Sequence, residues 1–472
     1  MTISTSFFLF MAGFLIVGLL SYLKSRGTAS DYYLASRSVP PWLVGLSAVA
    51  TNNSGYMFIG VIGYTYVAGF SALWLMFGWI TGDLIASLLV HRRLREATEQ
   101  TGAVSYAGLL ASWDGTDRPA LRRSIALLSL LFLTTYAAAQ LLAGSKALQV
   151  LLEWPHYAGA FMGATLVVIY CLAGGIRASI WTDAAQSIVM MVAMGLLLWV
   201  ATTEMGGPEG ALQAMREVPG FTNWTPEELA FPGLAGGIAF AVSWLFAGLS
   251  VMGQPHVMVR FMTLQRADQL VRVRLWYYLW FLLFYSAATG VGLLSRVLLA
   301  DPASFDAELA LPMMARDLLP APLVGLILAG IFAATISTAD SLVLACSAAL
   351  THDLMPTPKK KRWQLRGATF AITLLALALA LGFNQSVFTM VIFSWSTLAS
   401  AFAPLLLLWV WGQQPTQSQA LLTLFGGVLA ALAWRYLGLH NALYEGMVGI
   451  LTGLLVFALT LGWESRRRAV SC

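Results

Sequence analysis

The sequence has few charged residues and few cysteines. Only 10% of its 472 residues are Asp, Glu, Lys or Arg, whereas 58% are hydrophobic. A soluble domain carries about 25% charged residues, so the shortage excludes an ordinary soluble protein and indicates a lipid bilayer. The three cysteines, Cys171, Cys346 and Cys472, are too few and too scattered for a disulfide framework or a zinc site.

Enzyme signatures are missing as well. The chain has no HExxH, GxSxG or GxxxxGK[ST] pattern, so it lacks the zinc-protease, nucleophile-elbow and P-loop motifs. Its five histidines are scattered, mostly near the ends of apolar runs. His256 lies where a span gives way to a basic loop, and we interpret it as an interfacial cap. The sequence therefore predicts a protein that is not an enzyme.

What the chain does have is a succession of long apolar runs. Because a spanning helix needs ~20 apolar residues, we predict thirteen spans. The first run has no small-residue cleavage site, so we expect a span there and not a cleaved signal. The spans cover about 6–23, 40–65, 69–91, 124–152, 157–178, 180–203, 233–253, 275–299, 323–351, 367–386, 388–411, 418–437 and 445–463.

The positive charge is distributed by loop. Most of the 27 Lys and Arg residues fall in the loops after odd-numbered spans, whereas the intervening loops are acidic. Basic loops stay cytoplasmic, so we predict a membrane protein with its N-terminus outside and its C-terminus inside. The charge is then a topology signal, and no nucleic-acid partner is expected.

Polar residues interrupt the second span at "ATNNSG", residues 50–55. In a bilayer every backbone N–H and C=O must be paired internally, so a broken helix is tolerated only beside a cavity or within protein. One interpretation is a Ser/Asn contact between packed helices. The other is an unwound segment with free carbonyls, as in the binding elements of secondary transporters.

The ninth span holds a second polar cluster, formed by Thr335, Ser337, Thr338, Asp340 and Ser341. Back-bonding of hydroxyls to their own helix explains one or two such residues but not five. A carboxylate inside the membrane costs at least ~2.5 kcal/mol and is a functional-site hypothesis by default. This cluster is therefore a candidate binding element.

Three further charged residues lie within or beside the spans. Asp183 begins the sixth span, where it is either a functional acid or a helix N-cap. Asp83 and Lys146 are also intramembrane, and the sequence suggests no role for either. Oxygen donors without a His/Cys cluster suit a hard cation, and a single nearby carboxylate favours a monovalent ion over calcium, so we infer Na⁺.

Three segments carry a family resemblance. They are "GGIRASIWTDAAQ" (174–186), "GQPHVMVRFM" (253–262) and "AATISTADSLVL" (333–344). With them the chain resembles the sodium:solute symporter family over nearly its whole length, and within it is similar to the bacterial sodium/proline symporter branch. Proline-type members have an acidic residue where this chain has Asn52, which is a departure from their pattern.

The resemblance implies an all-α polytopic membrane protein with the LeuT-like fold: a single transmembrane domain over 1–472 with thirteen helices and two inverted five-helix repeats. Each repeat would open with a broken helix, at 50–55 and at "GLSVMG", 248–253. The repeats would cover about 40–203 and 233–411, with peripheral helices at 6–23, 418–437 and 445–463.

The resemblance also implies site residues. The sodium site would comprise Ala50, Asn53, Ala334, Ser337 and Thr338. A possible second sodium would use Asp183, Asp340 and Ser341, together with Ser337. The solute would contact Asn53, Ser54, Gly55, Tyr56, Tyr136, Gln140, Trp244 and Trp395.

The function implied is sodium-coupled import of a small organic solute by alternating access. An amino acid or related compound is expected, and proline is one option. A proton-coupled symporter and a transporter-like solute sensor are the alternatives. The expected partners are the solute, Na⁺ and the lipid bilayer, and we expect the monomer to be functional.

Overall fold

The computed structural model describes residues 1–22, 29–299, 305–355, 362–382 and 386–470, and helices dominate these residues. The α-helices are α1 (Ile3–Tyr22), α2 (Ala29–Leu34), α3 (Pro41–Asn52), α4 (Gly55–Phe58), α5 (Gly60–Ala68), α6 (Leu73–Thr101), α7 (Tyr106–Ala111), α8 (Pro119–Leu152), α9 (His156–Glu204), α10 (Pro208–Glu217), α11 (Gly233–Leu249), α12 (Pro255–Met262), α13 (Leu270–Leu298), α14 (Ala310–Leu318), α15 (Ala321–Ala348), α16 (Arg362–Gly382), α17 (Val387–Val410), α18 (Gln417–Tyr436) and α19 (Glu445–Val470). Short 3-10 turns join several of them, and a π-helical turn, Ala349–Leu354, extends α15.

The all-helical membrane fold is confirmed, but the count of thirteen spans is not. Within the described ranges, 11 helical segments are long and apolar enough to cross a membrane. Two expected spans have no separate counterpart among these segments, and one segment, Gly55–Thr101, joins the end of the second expected span to the third. The span at 40–65 is divided among α3, α4 and α5, and the span at 157–178 corresponds to the shorter apolar segment His156–Leu172. The arrangement into two inverted repeats remains a prediction.

Two expected spans form one helix with a sharp bend. Helix α9 is 49 residues long and departs from helical geometry at Gly175, with φ 57° and ψ −144°. A Cβ atom there would lie 2.4 Å from the carbonyl oxygen of Tyr32. Glycine is therefore required at this position for two reasons: its φ is positive, and the chain around Tyr32 approaches it too closely for a side chain.

Burial separates an interior from a periphery. The most apolar windows of Ala321–Leu354 and Val387–Val410 are 83% and 94% buried, so α15 and α17 lie in the interior. The corresponding windows of Ile3–Leu20 and Glu445–Gly462 are only 28% and 33% buried, so α1 and α19 are peripheral. Helix α15 packs against α1, α8 and α9, which places its polar cluster among protein and not lipid.

The membrane orientation remains a prediction. Some of the basic residues behind it, Lys24, Arg26 and residues 359–361, lie outside the described residues. The outer side of the molecule is defined as the side of α10, which is predicted to be extracellular, and the inner side as the side of α7.

Candidate ion and solute site

The first break in a membrane helix lies at Asn53 and Ser54. Helix α3 ends at Asn52, Asn53 has φ −96° and ψ 67°, and Ser54 is extended. The backbone N–H and the side-chain Nδ2 of Asn53 both donate to the Val49 carbonyl at 2.9 Å. The Ser54 hydroxyl accepts from the backbone N–H of Tyr56 and caps α4. Asn and Ser hold the break because their side chains replace helical hydrogen bonds.

The polar face of α15 lies against this break. The Thr338 hydroxyl donates to the Thr51 carbonyl at 3.0 Å. The Ser337 hydroxyl donates to the Ala334 carbonyl at 3.1 Å and lies 3.5 Å from the Ala50 carbonyl. All of these residues are buried. The end of α3 and the middle of α15 therefore meet through hydroxyl and carbonyl oxygens.

The structure brings four of the five expected sodium-site residues to this contact. Ala50, Ala334 and Ser337 share it directly, and Thr338 joins it through Thr51. Asn53 lies at the break itself, but its side chain is turned back to Val49. Carbonyl and hydroxyl oxygens fit a hard monovalent cation. Within the described ranges no group of three or more His, Cys, Asp and Glu side chains could hold a different metal.

The three residues expected at a second cation site also lie together, but around a residue that the sequence analysis missed. One Arg260 nitrogen donates to Ser179 at 2.7 Å, to Asp183 at 3.3 Å and to Ser341. Ser179 in turn donates to Asp340 at 2.9 Å. The helix α12 thus reaches α9 and α15 through one guanidinium group.

The charges of this cluster do not balance. It holds two carboxylates and one guanidinium, all completely buried. One oxygen of Asp183 and one of Asp340 have no hydrogen-bond partner. Buried charge is costly unless it is paired, so the cluster fits one more cation or a proton. Because Arg260 already contacts Asp183 and Ser341, any such cation shares its ligands with the guanidinium group.

The expected solute residues gather beside the break, with one exception described below. Ser54 and Tyr136 are hydrogen bonded through their hydroxyls at 3.2 Å, and the Gly55 N–H donates to Gln140 Oε1 at 2.9 Å. A Cβ at Gly55 would lie 2.4 Å from Thr335, so only glycine lets α4 approach α15 this closely. The Gln140 Nε2 is buried and unpaired, which leaves a donor for a ligand.

His256 belongs to the same group of residues around Ser54, Tyr136 and Gln140, which we call the solute pocket, so the interpretation of His256 as an interfacial cap is wrong. Its ring is completely buried, 5.5 Å from the Tyr136 ring and 6.2 Å from the Trp395 ring. Both imidazole nitrogens are unpaired. The apolar run after Pro255 carries the chain back into the protein, whereas hydropathy alone suggested a membrane edge. The polar "GQPH" sequence was the available signal.

Aromatic rings lie between the solute pocket and the outer side of the molecule. Trp395 lies 5.2 Å from Trp79, and Tyr56 lies 5.7 Å from Trp79 and 5.4 Å from Phe388. Phe388 stacks on Tyr64 at 4.8 Å. Tyr64 also lines an outer cleft of about 1010 Å³. The stack therefore separates that cleft from Ser54 and Tyr136, and Trp79 is a wall residue that the sequence analysis did not name.

Trp244 is the expected solute residue that the structure does not bring to the break. Its ring lies 6.0 Å from both Tyr64 and Tyr444, and 6.3 Å from Phe240, which lines the outer cleft. The Trp395 indole N–H, by contrast, reaches α11 three residues further along and donates to the Ala247 carbonyl at 2.9 Å. Trp244 thus borders the route to the pocket.

The second break is close to its expected place. Helix α11 ends at Leu249, residues 250–253 form a 3-10 turn and Gln254 is extended before α12 begins at Pro255. A residue before proline is driven out of the helical region, and proline has no N–H to lose at the first helical position. The Gln254 amide donates to the Trp395 carbonyl at 2.8 Å and so ties this break to α17.

Known proteins resemble this chain over nearly its whole length. A sodium/proline symporter of Escherichia coli K12 is 28% identical, in an alignment that covers 97% of this chain and 94% of that protein. The high-affinity proline transporter PutP of Bacillus subtilis 168 is 29% identical, covering 97% of both chains.

Solved structures share the fold. A substrate-bound, outward-open Na⁺-coupled sialic acid symporter superposes with a TM-score of 0.81 at 19% identity, covering 97% of both chains. Mhp1, a nucleobase-cation-symport-1 transporter in a closed conformation with bromovinylhydantoin, superposes with a TM-score of 0.63 at 14% identity, covering 92% of this chain and 95% of that one. The family model for sodium:solute symporters matches residues 32–427. The chain therefore belongs to the sodium:solute symporter family and is a transporter, not an enzyme.

Proposed function

We propose that this protein imports a small organic solute together with Na⁺, and that the ion binds where α3 breaks against α15. The single observation that carries this proposal is the contact, inside the protein, between the hydroxyls of Ser337 and Thr338 and the carbonyls that immediately precede the break of α3. Broken helices with free carbonyls are the usual ion and substrate elements of secondary transporters. The membership of the sodium:solute symporter family supports the same ion.

In this mechanism the ion joins the break to α15. The carbonyls of Ala50 and Asn53 and the oxygens of Ala334, Ser337 and Thr338 are the proposed ligands. Binding would fix the end of α3 and shape the pocket that α4 shares with Tyr136 and Gln140. Coupling is reciprocal, so the solute must raise the affinity for sodium by the same factor as sodium raises the affinity for the solute.

The proposed solute is an amino acid or a related compound. The relatives named for proline motivate this class, and proline is one candidate. The pocket offers hydroxyl groups at Ser54 and Tyr136, a free amide donor at Gln140 and aromatic walls at Tyr56 and Trp395. The unpaired imidazole of His256 adds a donor and an acceptor, which favours a solute that hydrogen bonds at more than one end.

A second sodium is proposed at Asp183, Asp340 and Ser341. The support is the excess negative charge of the cluster and its unpaired carboxylate oxygens. A proton is the competing occupant, which keeps proton coupling as the second candidate function. We further propose that the protein acts as a monomer in a bacterial inner membrane, with the N-terminus outside and with repeats at about 40–203 and 233–411.

The test is uptake by the purified protein in liposomes at fixed pH. Solutes are first screened by thermal shift against amino acids, carboxylates, sugars and vitamins, with sodium or choline chloride. A ligand that raises the melting temperature only with sodium identifies solute and coupling together. Uptake of that solute must then require an inward sodium gradient. Equal uptake with choline would reject sodium coupling in favour of the proton, and binding without any uptake would favour a sensor.

A further inference from the structure

A buried carboxylate outside both candidate ion sites has no counter-charge. Asp83 lies in the middle of α6 and is completely buried. Within the part of the chain that the structure describes, its hydrogen-bond partners are three neutral groups, and none of the ion pairs includes it. A buried charge without a partner is expensive, so this position calls for a cation or a proton.

The three neutral groups hold the ionised form in place. Asn52 Nδ2 and the Tyr277 hydroxyl each donate to Asp83 Oδ2 at 2.9 Å, and the Tyr278 hydroxyl donates to Oδ1 at 2.7 Å. Asn52 Nδ2 also donates to the Tyr277 hydroxyl at 2.6 Å. An acceptor surrounded by three donors is the arrangement that an ionised carboxylate requires.

The same residues can also serve the neutral acid. The Asn52 Oδ1 is buried and has no partner. A half-turn of this amide exchanges its oxygen and nitrogen, so that Oδ1 accepts from a protonated Asp83. Asn52 can therefore hydrogen bond to Asp83 in either protonation state, although the protonated acid gives up at least one of its three donors.

The other ionisable side chains on the helices around Asp83 have contacts elsewhere. Arg274, on α13, donates to the hydroxyl and the carbonyl of Ser87, one turn from Asp83. Arg260, on α12, contacts Asp183. His91, two turns along α6, is buried against the Phe261 ring, with both nitrogens unpaired. The adjacent helix α11 presents backbone, because Gly248 lies against the Asp83 N–H.

The carboxylate is linked to the candidate sodium site through Asn52. Its partner Asn52 is the last residue of α3. The preceding residues, Ala50 and Thr51, supply the carbonyls that face Ser337 and Thr338. A sodium ion at those carbonyls would stabilise a negative charge on Asp83 and oppose its protonation.

We propose that Asp83 is a proton-binding site linked to the candidate sodium site, so that sodium binding expels the proton from its carboxyl group into solvent. The inference rests on the proposed sodium site and adds to it a proton that neither Asp183 nor Asp340 carries. By reciprocity, acid must weaken sodium binding, because a protonated Asp83 no longer offers its charge to the ion. Coupling between linked sites is commonly about tenfold, and a tenfold coupling shifts the midpoint of protonation by about one pH unit.

Proton release on sodium binding tests this directly. Purified protein in a weakly buffered solution with a pH-sensitive dye is mixed with sodium chloride or with choline chloride, at starting values from pH 5 to 9. A shift of about one unit corresponds to release of about half a proton per protein at the best pH. Only sodium should cause it, and the apparent sodium affinity should fall about tenfold from the basic to the acidic end.

The decisive variant is Asp83→Asn. It must abolish the release and make sodium affinity independent of pH, as measured by thermal shift, when it and its parent both carry Asp183→Asn, which removes the excess charge of the second candidate site and with it any proton exchanged there. Glu445→Gln is the matched control, because Glu445 is a buried carboxylate that has a cationic partner, Arg435, and it should behave as the parent does. Release that persists in Asp83→Asn, or that never occurs in the parent, overturns the proposal.

A second variant keeps the proposal testable if Asp83→Asn does not fold. Tyr278→Phe removes one donor to the ionised carboxylate and leaves Asp83 in place. The pH of maximal release should move upward by about one to two units, since a hydrogen bond to a charged group contributes that much. If the pH of maximal release is the same in Tyr278→Phe as in the parent, Asp83 is not the proton-binding group. If sodium raises the melting temperature but releases no proton, only this inference fails; if sodium does not stabilise the protein at all, the proposed sodium site fails with it.

Discussion

The hydroxyl groups of Ser337 and Thr338 are the smallest parts of the proposed mechanism that can be removed one at a time. Ser337→Ala and Thr338→Ala should each raise the sodium KM of uptake about fivefold, because loss of one hydrogen bond or ligand costs about 1 kcal/mol. Thr373→Ala is the control, since that hydroxyl donates to the Thr369 carbonyl one turn back in α16. A double variant with the parent's sodium KM would reject the site.

The number of sodium ions transported per cycle can be tested at Asp183. If a second ion binds beside Arg260, the sodium dependence of uptake in the parent has a Hill coefficient above one. Asp183→Asn should bring it to one, because the substitution removes the charge that the ion shares with the guanidinium group. The measurement is initial uptake at saturating solute over a range of sodium concentrations. A Hill coefficient of one in the parent protein would contradict the proposed second sodium site.

The sequence could predict polar residues along one helix but not the partners that cross between helices. Ser337, Thr338 and Asp340 stood out because hydroxyls and a carboxylate are costly within an apolar run. Arg260 could not be assigned, since its contact with Asp183 joins residues 77 positions apart. Asp83 and Asn52 were both noted, yet nothing in the sequence indicated that they form a hydrogen bond.

Helix packing around the second break depends on small residues. Gly248, in α11, faces α6, where a Cβ would lie 2.2 Å from the Trp79 carbonyl oxygen. Gly78 and Gly82 on α6 meet α11 as closely, which is the small-residue packing common between membrane helices. The sequence predicted a break at 248–253, but it could not show that Gly248 serves packing while Gln254 and Pro255 produce the extended residue.

Gly248→Ala should therefore separate α11 from α6. Overpacking of this kind costs about 1–3 kcal/mol, and we expect a lower melting temperature in detergent and reduced uptake. Gly195→Ala, in α9, is the matched control, because nothing lies within 4 Å of the added Cβ. Alanine in a helix interior is favoured over glycine, so the control should be as stable as the parent or slightly more stable. Equal melting temperatures for the two variants would contradict this role of Gly248 in packing.

Across the whole molecule, the sequence predicted a polytopic helical protein of the right family, because the shortage of charge and the three quoted segments are properties of the chain itself. It did not predict which apolar runs form separate helices. The bend at Gly175 depends on the approach of Tyr32, and the division of 40–65 depends on hydrogen bonds that Asn53 and Ser54 make within the fold.

The proposed sodium coupling has a consequence for the molecule as a whole, because each cycle would move charge across the membrane. A potential of ~100 mV contributes ~2.3 kcal/mol per charge, which is about fiftyfold in the accumulation of an uncharged or zwitterionic solute. Liposomes with equal sodium on both sides and an inside-negative potassium diffusion potential, set by valinomycin, should therefore accumulate the solute. Collapse of the potential should abolish accumulation, and choline in place of sodium should prevent it. Accumulation that follows the potential without sodium would instead mean that a proton carries the charge, and accumulation that ignores the potential would mean that no net charge moves with the solute.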